Sequence, residues 1–220
     1  MYFHSRAEAG QKLATELQHY RYENAAVVAL SDGAVIVAEQ IAVSLHCILT
    51  MLLSENVRIP GEHASLGTVT QNGNFVYDTS LSEGEVDEYY SEFHSYIDDQ
   101  KREKFSQLNR LLGQGGLIDA ATLREHIIIL VSDGFKHGTT LNAAAEFFKR
   151  IKIAKLVVAT PIASVQAVDR MHIIADELHC LSVTENYIST NHYYDINDVP
   201  PHEQIVAKIN NIVQNWHPQA

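Results

Sequence analysis

The residues best placed to do chemistry lie between an apolar run, Ile127-Ile128-Ile129-Leu130-Val131, and an alanine-rich stretch that begins near Leu141. Between them stand Ser132, Asp133, Gly134, Phe135, Lys136, His137, Gly138, Thr139 and Thr140. The pattern is strand, loop, helix. Such a loop aims backbone N–H groups and a helix N-terminus at one point outside the carboxyl end of a sheet, which suits a phosphate. Thr139 and Thr140 add hydroxyl donors, and a carboxylate at the strand end, Asp133, is suited to accept hydrogen bonds from ribose hydroxyls. A plain Asp-Gly turn followed by a threonine-capped helix uses the same residue types, and both readings stand at this point. A Walker A loop is excluded, because Lys136 precedes Gly138 instead of following it.

Other chemistries find less support. The twelve histidines show no His-Glu-x-x-His or Cys/His ligand spacing, so no metal ligand is assigned to the protein. Cys47 and Cys180 lie among apolar residues and read as buried free thiols. No Gly-x-Ser-x-Gly elbow is present. Tyr89, Tyr90, Phe93 and Tyr96 fall at helical spacing and read as core or dimer packing, which leaves room for a homodimer. The formal net charge of −11 argues against nucleic-acid and anionic-membrane partners. Lys149, Arg150, Lys152 and Lys155 cluster, but they read as a solvated helix end. No apolar run reaches the roughly 18 residues needed to cross a bilayer. Met1 to Arg6 leads directly into a helical pattern without signal-peptide features, and a cytoplasmic location is expected.

The elements that must position the loop follow from hydrophobic period. A helix through Ala7, Leu13 and Leu17 precedes a buried strand, Ala25 to Leu30; a turn at Ser31-Asp32-Gly33, a helix Val35 to Leu45 and a second apolar run, Cys47 to Leu53, complete a β-α-β unit. Residues Leu66 to Tyr77 alternate around Gln71-Asn72-Gly73-Asn74 and predict a hairpin. From Ser82, with Glu85 as capping-box partner, a long helix runs through Ile97 and Leu108 to Gly113, Gly115 and Gly116. Then come strand His126 to Val131, helix Thr140 to Arg150, strand Lys155 to Thr160, helix Ser164 to Ile173, strand Asp176 to Leu181 and a closing helix, Pro201 to Trp216. The expected fold is a single α/β domain, residues 1–220, with a central, mostly parallel five-stranded sheet flanked by helices and a hairpin and long-helix insertion at about 60–115.

The run Asp133 to Thr140 resembles the signature of type I phosphoribosyltransferases, in which two adjacent acids end a strand and a loop closing in Thr-Gly-x-Thr cradles the 5-phosphate of phosphoribosyl pyrophosphate (PRPP). Gly138-Thr139-Thr140 matches the closing part, and Asp133 the second acid. The opening Arg6-Ala7-Glu8-Ala9-Gly10-Gln11-Lys12-Leu13-Ala14 resembles that of a bacterial branch of predicted phosphoribosyltransferases. Further matches are Pro60-Gly61 leading to Leu66-Gly67, Val158-Ala159-Thr160-Pro161-Ile162-Ala163 and Ala175-Asp176-Glu177. The resemblance spans Arg6 to about Tyr194. It implies a Rossmann-like phosphoribosyltransferase fold, a pyrophosphate-side loop at Ser31, Asp32, Gly33 and Ala34, Mg²⁺ when PRPP is bound, and acceptor choice by a hood around Pro60 to Tyr77.

Against that pattern, the first acid is Ser132 and the arginine of the pyrophosphate-side loop is Asp32. The family's paired Arg-Lys falls near Ser54-Glu55, and His137 replaces a threonine. Transfer of this kind rests on electrostatic stabilisation of leaving pyrophosphate and a ribosyl cation. The expectation is a degenerate site: a loop that still binds a phosphate or sugar phosphate, with weak or lost transferase activity and a regulatory role. The alternative is an active glycosyltransferase that moves ribose 5-phosphate from PRPP to an unknown acceptor, with Lys136 and Arg58 in place of the missing cations.

Overall fold

A computed structural model describes residues 2–59, 65–78, 80–112 and 120–215. In chain order the elements are α1 (Arg6–Glu16), β1 (Ala25–Ala29), α2 (Asp32–Leu45), β2 (Ile48–Met51), β3 (Ser54–Arg58), β4 (Ser65–Thr70), β5 (Phe75–Tyr77) and α3 (Glu83–Leu112). They continue with β6 (Ile127–Val131), α4 (Thr139–Lys149), β7 (Lys155–Ser164), α5 (Val165–Ile174), β8 (Glu177–Thr184) and α6 (His202–Asn215). The expected Pro60-Gly61 turn, the glycines at 113, 115 and 116, and the helix end at Trp216 lie outside the described residues.

The chain groups into two compact units, one of residues Met1–Met51, Gly116–Gly138 and Ile151–Ala220, the other of Leu52–Gly115 and Thr139–Arg150. The first holds a five-stranded sheet in the order β2-β1-β6-β7-β8, and every strand pair in it is parallel. A parallel sheet covered by helices on both faces needs strands apolar on both sides, and β1 is buried at every position. Helices α1, α2 and α5 begin at Ser5, Ser31 and Ser164, whose hydroxyls accept from the N–H groups of Glu8, Ala34 and Ala167. Helix α2 stops at His46, which takes the left-handed conformation at φ 58°.

The second unit holds an antiparallel sheet, β3-β4-β5, on which α3 and α4 pack. The β4–β5 hairpin closes as the Asn-Gly pair requires, with Gly73 at φ +79°. Ile59, Leu66 and Ile97 form its core, with Phe75, Leu81, Tyr89 and Phe93 packed against them. Of the aromatic row on α3, Tyr89 and Phe93 thus face this core, while Tyr90 and Tyr96 are exposed. Helix α3 kinks at Phe93.

The structure departs from the sequence expectation at several elements. Cys47 to Leu53 is not one strand: β2 ends at Met51, and Ser54–Arg58 crosses to the other sheet, paired with β4. Only Val57 of β3 is fully buried, so the strand carries no apolar alternation to read. Strand β7 runs past Pro161 to Ser164, because β8 stays paired with it from Ile162 to Ser164 on one side while the loop residue Phe135 bridges to Ala163 on the other. The second compact unit groups β3 and α4 with the hairpin and long helix. Cys47 is buried and burial pushes its thiol up to about 12, which removes it as a nucleophile; Cys180 is only half-buried. Among the described residues no helix is long and apolar enough to cross a membrane.

Helices α1 and α2 meet at Gly10, where an added Cβ would lie 2.5 Å from the Val37 carbonyl oxygen and 3.0 Å from Gln40 Cβ. Backbone cannot yield as a side chain does, so Gly10→Ala is expected to lower stability by about 1–2 kcal/mol despite its gain in helix propensity. Urea unfolding of the two proteins measures the difference.

Candidate functional site

The described part of the loop, Ser132–Gly138, leaves the carboxyl end of β6 inside the first unit. Its shape is set by short local bonds. Ser132 Oγ donates to the Gly134 carbonyl at 3.0 Å and accepts from the Gly134 N–H at 3.2 Å. Phe135 is buried; it donates to the Ile162 carbonyl at 3.0 Å and accepts from the Ser164 N–H at 2.9 Å, which pins the loop to β7. Ser164 Oγ donates to the Lys136 carbonyl at 2.6 Å. Gly138 sits at φ +72°, a conformation costly to a residue with a Cβ. Lys136 and His137 are exposed.

Asp133 points inward. Its Oδ2 accepts from Arg6 Nε at 2.8 Å and its Oδ1 from Ser31 Oγ at 3.1 Å, while Tyr194 donates to its backbone carbonyl at 2.6 Å. The Arg6 side chain is 3% exposed and that of Asp133 11%, so this is a buried ion pair. Arg6 also donates to Asn197 at 3.1 Å and to Asn191 at 2.6 Å, and lies 4.5 Å from the centre of the Tyr194 ring. Gly33 is required here: a Cβ would stand 2.3 Å from Asp133 Oδ2 and 2.9 Å from Arg6 Nε. Ser31 and Gly33 therefore meet Asp133 across the adjacent ends of β1 and β6, as neighbouring parallel strands allow.

Asp32 turns elsewhere, its Oδ1 lying 2.7 Å from Nδ1 of His202 on α6. It occupies the first turn of α2, where a carboxylate complements the helix dipole. The N–H of Ala34 is spent on Ser31 Oγ at 3.0 Å. In the second unit, Thr139 and Thr140 open α4, and Ser54, Glu55 and Arg58 lie on β3, with Glu55 3.6 Å from Lys104 Nζ.

Beside the loop, in the first unit, a cleft of about 500 Å³ is lined by Lys136, His137, Ser164, Gln166, Asp169 and Glu185, among others. Tyr187 closes over Gly134, whose Cβ would meet its hydroxyl at 2.2 Å; burial pushes that phenol up to about 12, and it stays protonated, paired with Thr190 at 2.9 Å.

A family model described as "Phosphoribosyl transferase domain" matches residues 3–195. The chain belongs to this phosphoribosyltransferase family. Two Mycobacterium tuberculosis proteins, from strains CDC 1551 and H37Rv and each named "putative phosphoribosyl transferase", are 27% identical to it over 199 residues, which is 87% of this chain and 43% of theirs. The chain thus spans less than half the length of these relatives. The crystal structure of TT1426 from Thermus thermophilus has a TM-score of 0.76 and 27% identity, covering 96% of this chain and 99% of that one.

Within this phosphoribosyltransferase domain, sequence reasoning missed Tyr187, Tyr194, Asp169, Glu185 and His202 as neighbours of the loops. Arg6 carried a signal, as the first residue of the family-like opening, but nothing in that motif named its partner. Arg6→Ala would strand the Asp133 carboxylate in a buried setting, and a loss of about 3–5 kcal/mol is expected. Arg6→Lys should recover only part, because an ammonium cannot reproduce the fork to Asp133, Asn191 and Asn197. Thermal and urea unfolding of both variants measure the two losses.

Proposed function

We propose that this phosphoribosyltransferase-family chain binds a phosphate or sugar phosphate at the Gly134–Gly138 loop and has weak or no transferase activity. One observation carries the reading: the carboxylate expected to hold ribose hydroxyls is committed to a buried pair with Arg6 and Ser31. Its neighbour is Ser132, whose hydroxyl is turned back on Gly134. Asp32 sets an anion where the family uses a cation, and its carboxylate lies 2.7 Å from the His202 ring. What supports retained binding is the exposed pair Lys136 and His137 beside a loop that turns at Gly138. Asp169 and Glu185 on the same cleft offer the oxygen ligands that Mg²⁺ prefers, and would hold the ion if it arrives with PRPP. Bound there, Mg²⁺ would neutralise phosphate charge. The chain's own contribution is to orient the phosphate, through Lys136, His137 and the turn at Gly138. Binding without turnover would suit a regulatory role.

Calorimetric titration with PRPP and Mg²⁺, paired with an assay for pyrophosphate release in the presence of nucleobases, tests the reading. Binding heat without turnover is expected; steady release would establish the active-enzyme alternative. Gly138→Val should abolish phosphate binding in a folded protein, because a branched side chain at φ +72° both strains the loop and would crowd Arg170. Unchanged affinity would refute the loop as the anion site. Asp32→Arg with Ser132→Asp restores a cation and completes the acidic pair, and should tighten PRPP binding roughly 10–100-fold through charge-assisted hydrogen bonds. The dissociation constants are compared at fixed ionic strength.

A further inference from the structure

We propose that His19, Glu177 and His179 form a site for a divalent transition-metal ion of the imidazole-binding kind, Zn²⁺ foremost, at the outer edge of the five-stranded sheet. The three residues each offer one ligand atom, and these atoms lie within 4.8 Å of one another. Glu177 and His179 are two apart on β8, so the pleat puts both side chains on one face of the edge strand. His19 comes from the short turn after α1. Both imidazoles converge on the same carboxylate oxygen: Glu177 Oε1 lies 3.2 Å from His19 Nε2 and 2.7 Å from His179 Nε2. Tetrahedral zinc with ligands at about 2.0–2.2 Å separates neighbouring donors by about 3.4 Å. Binding therefore needs the Glu177 Oε1 contacts, now 2.7 Å to His179 and 3.2 Å to His19, to open to about this separation, with the three donor atoms already within 4.8 Å of one another, as the metal replaces protons on the imidazoles.

The surroundings support the ligands in the way metal sites require. His179 turns its other nitrogen, Nδ1, to Glu16 Oε2 at 3.4 Å, which orients the ring and leaves Nε2 for the metal. Glu177 gives its second oxygen to Tyr20 Oη, which donates at 2.6 Å, and to the Lys155 ammonium, so that Oε1 is held in place. The ammonium opposes a second cation, but Glu16 and Glu177 together outnumber it. His19 is half-exposed, which leaves an entry path. A carboxylate and two imidazoles select Zn²⁺, Ni²⁺ or Cu²⁺ over Mg²⁺, which takes oxygen ligands and dehydrates reluctantly. The site therefore answers to a different ion from one carried by PRPP, and it stands whether or not the loop binds phosphate. No sequence spacing pointed to it, because His19 and the β8 pair are brought together only by α1 packing on the sheet.

The test uses the full chain without a polyhistidine tag, stripped by a chelator. Calorimetry with ZnCl₂ is expected to give one equivalent bound with a dissociation constant in the micromolar range or tighter. His19→Ala and His179→Ala should each weaken it by at least tenfold, and Co²⁺ should give the intense visible absorption of tetrahedral coordination in the wild type alone. His19→Ala alters a half-exposed side chain and is expected to fold, so its loss of affinity reports the ligand and not the fold. MgCl₂ should bind no more tightly to the wild type than to the variants at these positions. Absence of Zn²⁺ binding below about 100 micromolar, or equal affinity in the wild type and both histidine variants, would overturn the proposal and leave the cluster as an ion-pair network.

Discussion

The buried pair between Arg6 and Asp133 is the constraint around which the first unit is arranged. Two charges removed from water cost several kcal/mol each, and their attraction offsets this only where every remaining donor and acceptor is used. The structure meets that condition closely. Arg6 reaches Asp133, Asn191 and Asn197 and lies over Tyr194; Asp133 takes Arg6 and Ser31. Gly33 leaves the space in which carboxylate and guanidinium meet. The first helix, the loops after β1 and β6, and the segment around Asn191 are thereby fastened at one point. The segment ahead of α1 reinforces it, since Phe3 bonds to Tyr193 and Asp195 through its backbone.

The same interaction decides what the loop has left to offer. In a parallel α/β sheet the carboxyl ends of adjacent strands form the natural ligand crevice, and acids there are the usual partners of sugar hydroxyls. Here Asp133 is drawn to a guanidinium behind the loop, Ser132 closes on its own backbone, and Asp32 sits in the first turn of a helix and meets His202. Each arrangement gives a polar group a partner within the fold. Lys136 and His137 remain exposed, on the side lined by Asp169 and Glu185.

At the far edge strand the polar residues serve a different purpose. Strand β8 is nowhere fully buried, and an edge with free backbone groups invites pairing with other chains. Glu177 gathers Tyr20, Lys155, His19 and His179 about itself. Burial works against its charge, but hydrogen bonds from Lys155, Tyr20 and His179 outweigh that and hold its carboxyl down at about 2. An edge with a fixed charge cluster resists strand addition, and it is also where ligand atoms can be held open to solvent.

What the sequence determined by itself was whatever rests on local pattern. The apolar run Ile127 to Val131 read as a buried strand, helices alternated with such runs, Asn72-Gly73 had to turn a hairpin, and Ser82 and Glu85 closed the capping box their spacing offers. The family resemblance added the loop at Asp133 to Thr140. Strand β3 was hidden because one buried residue in five makes no periodic signal. Partnerships between side chains distant along the chain were invisible as well: Asp133 had an open role until Arg6 was placed beside it, Asp32 until His202 was, and His19 read as a scattered histidine until α1 packed beside β8. Period and turn chemistry act over a few residues of backbone, whereas charge pairing and ligand geometry depend on distances that only the closed tertiary structure sets.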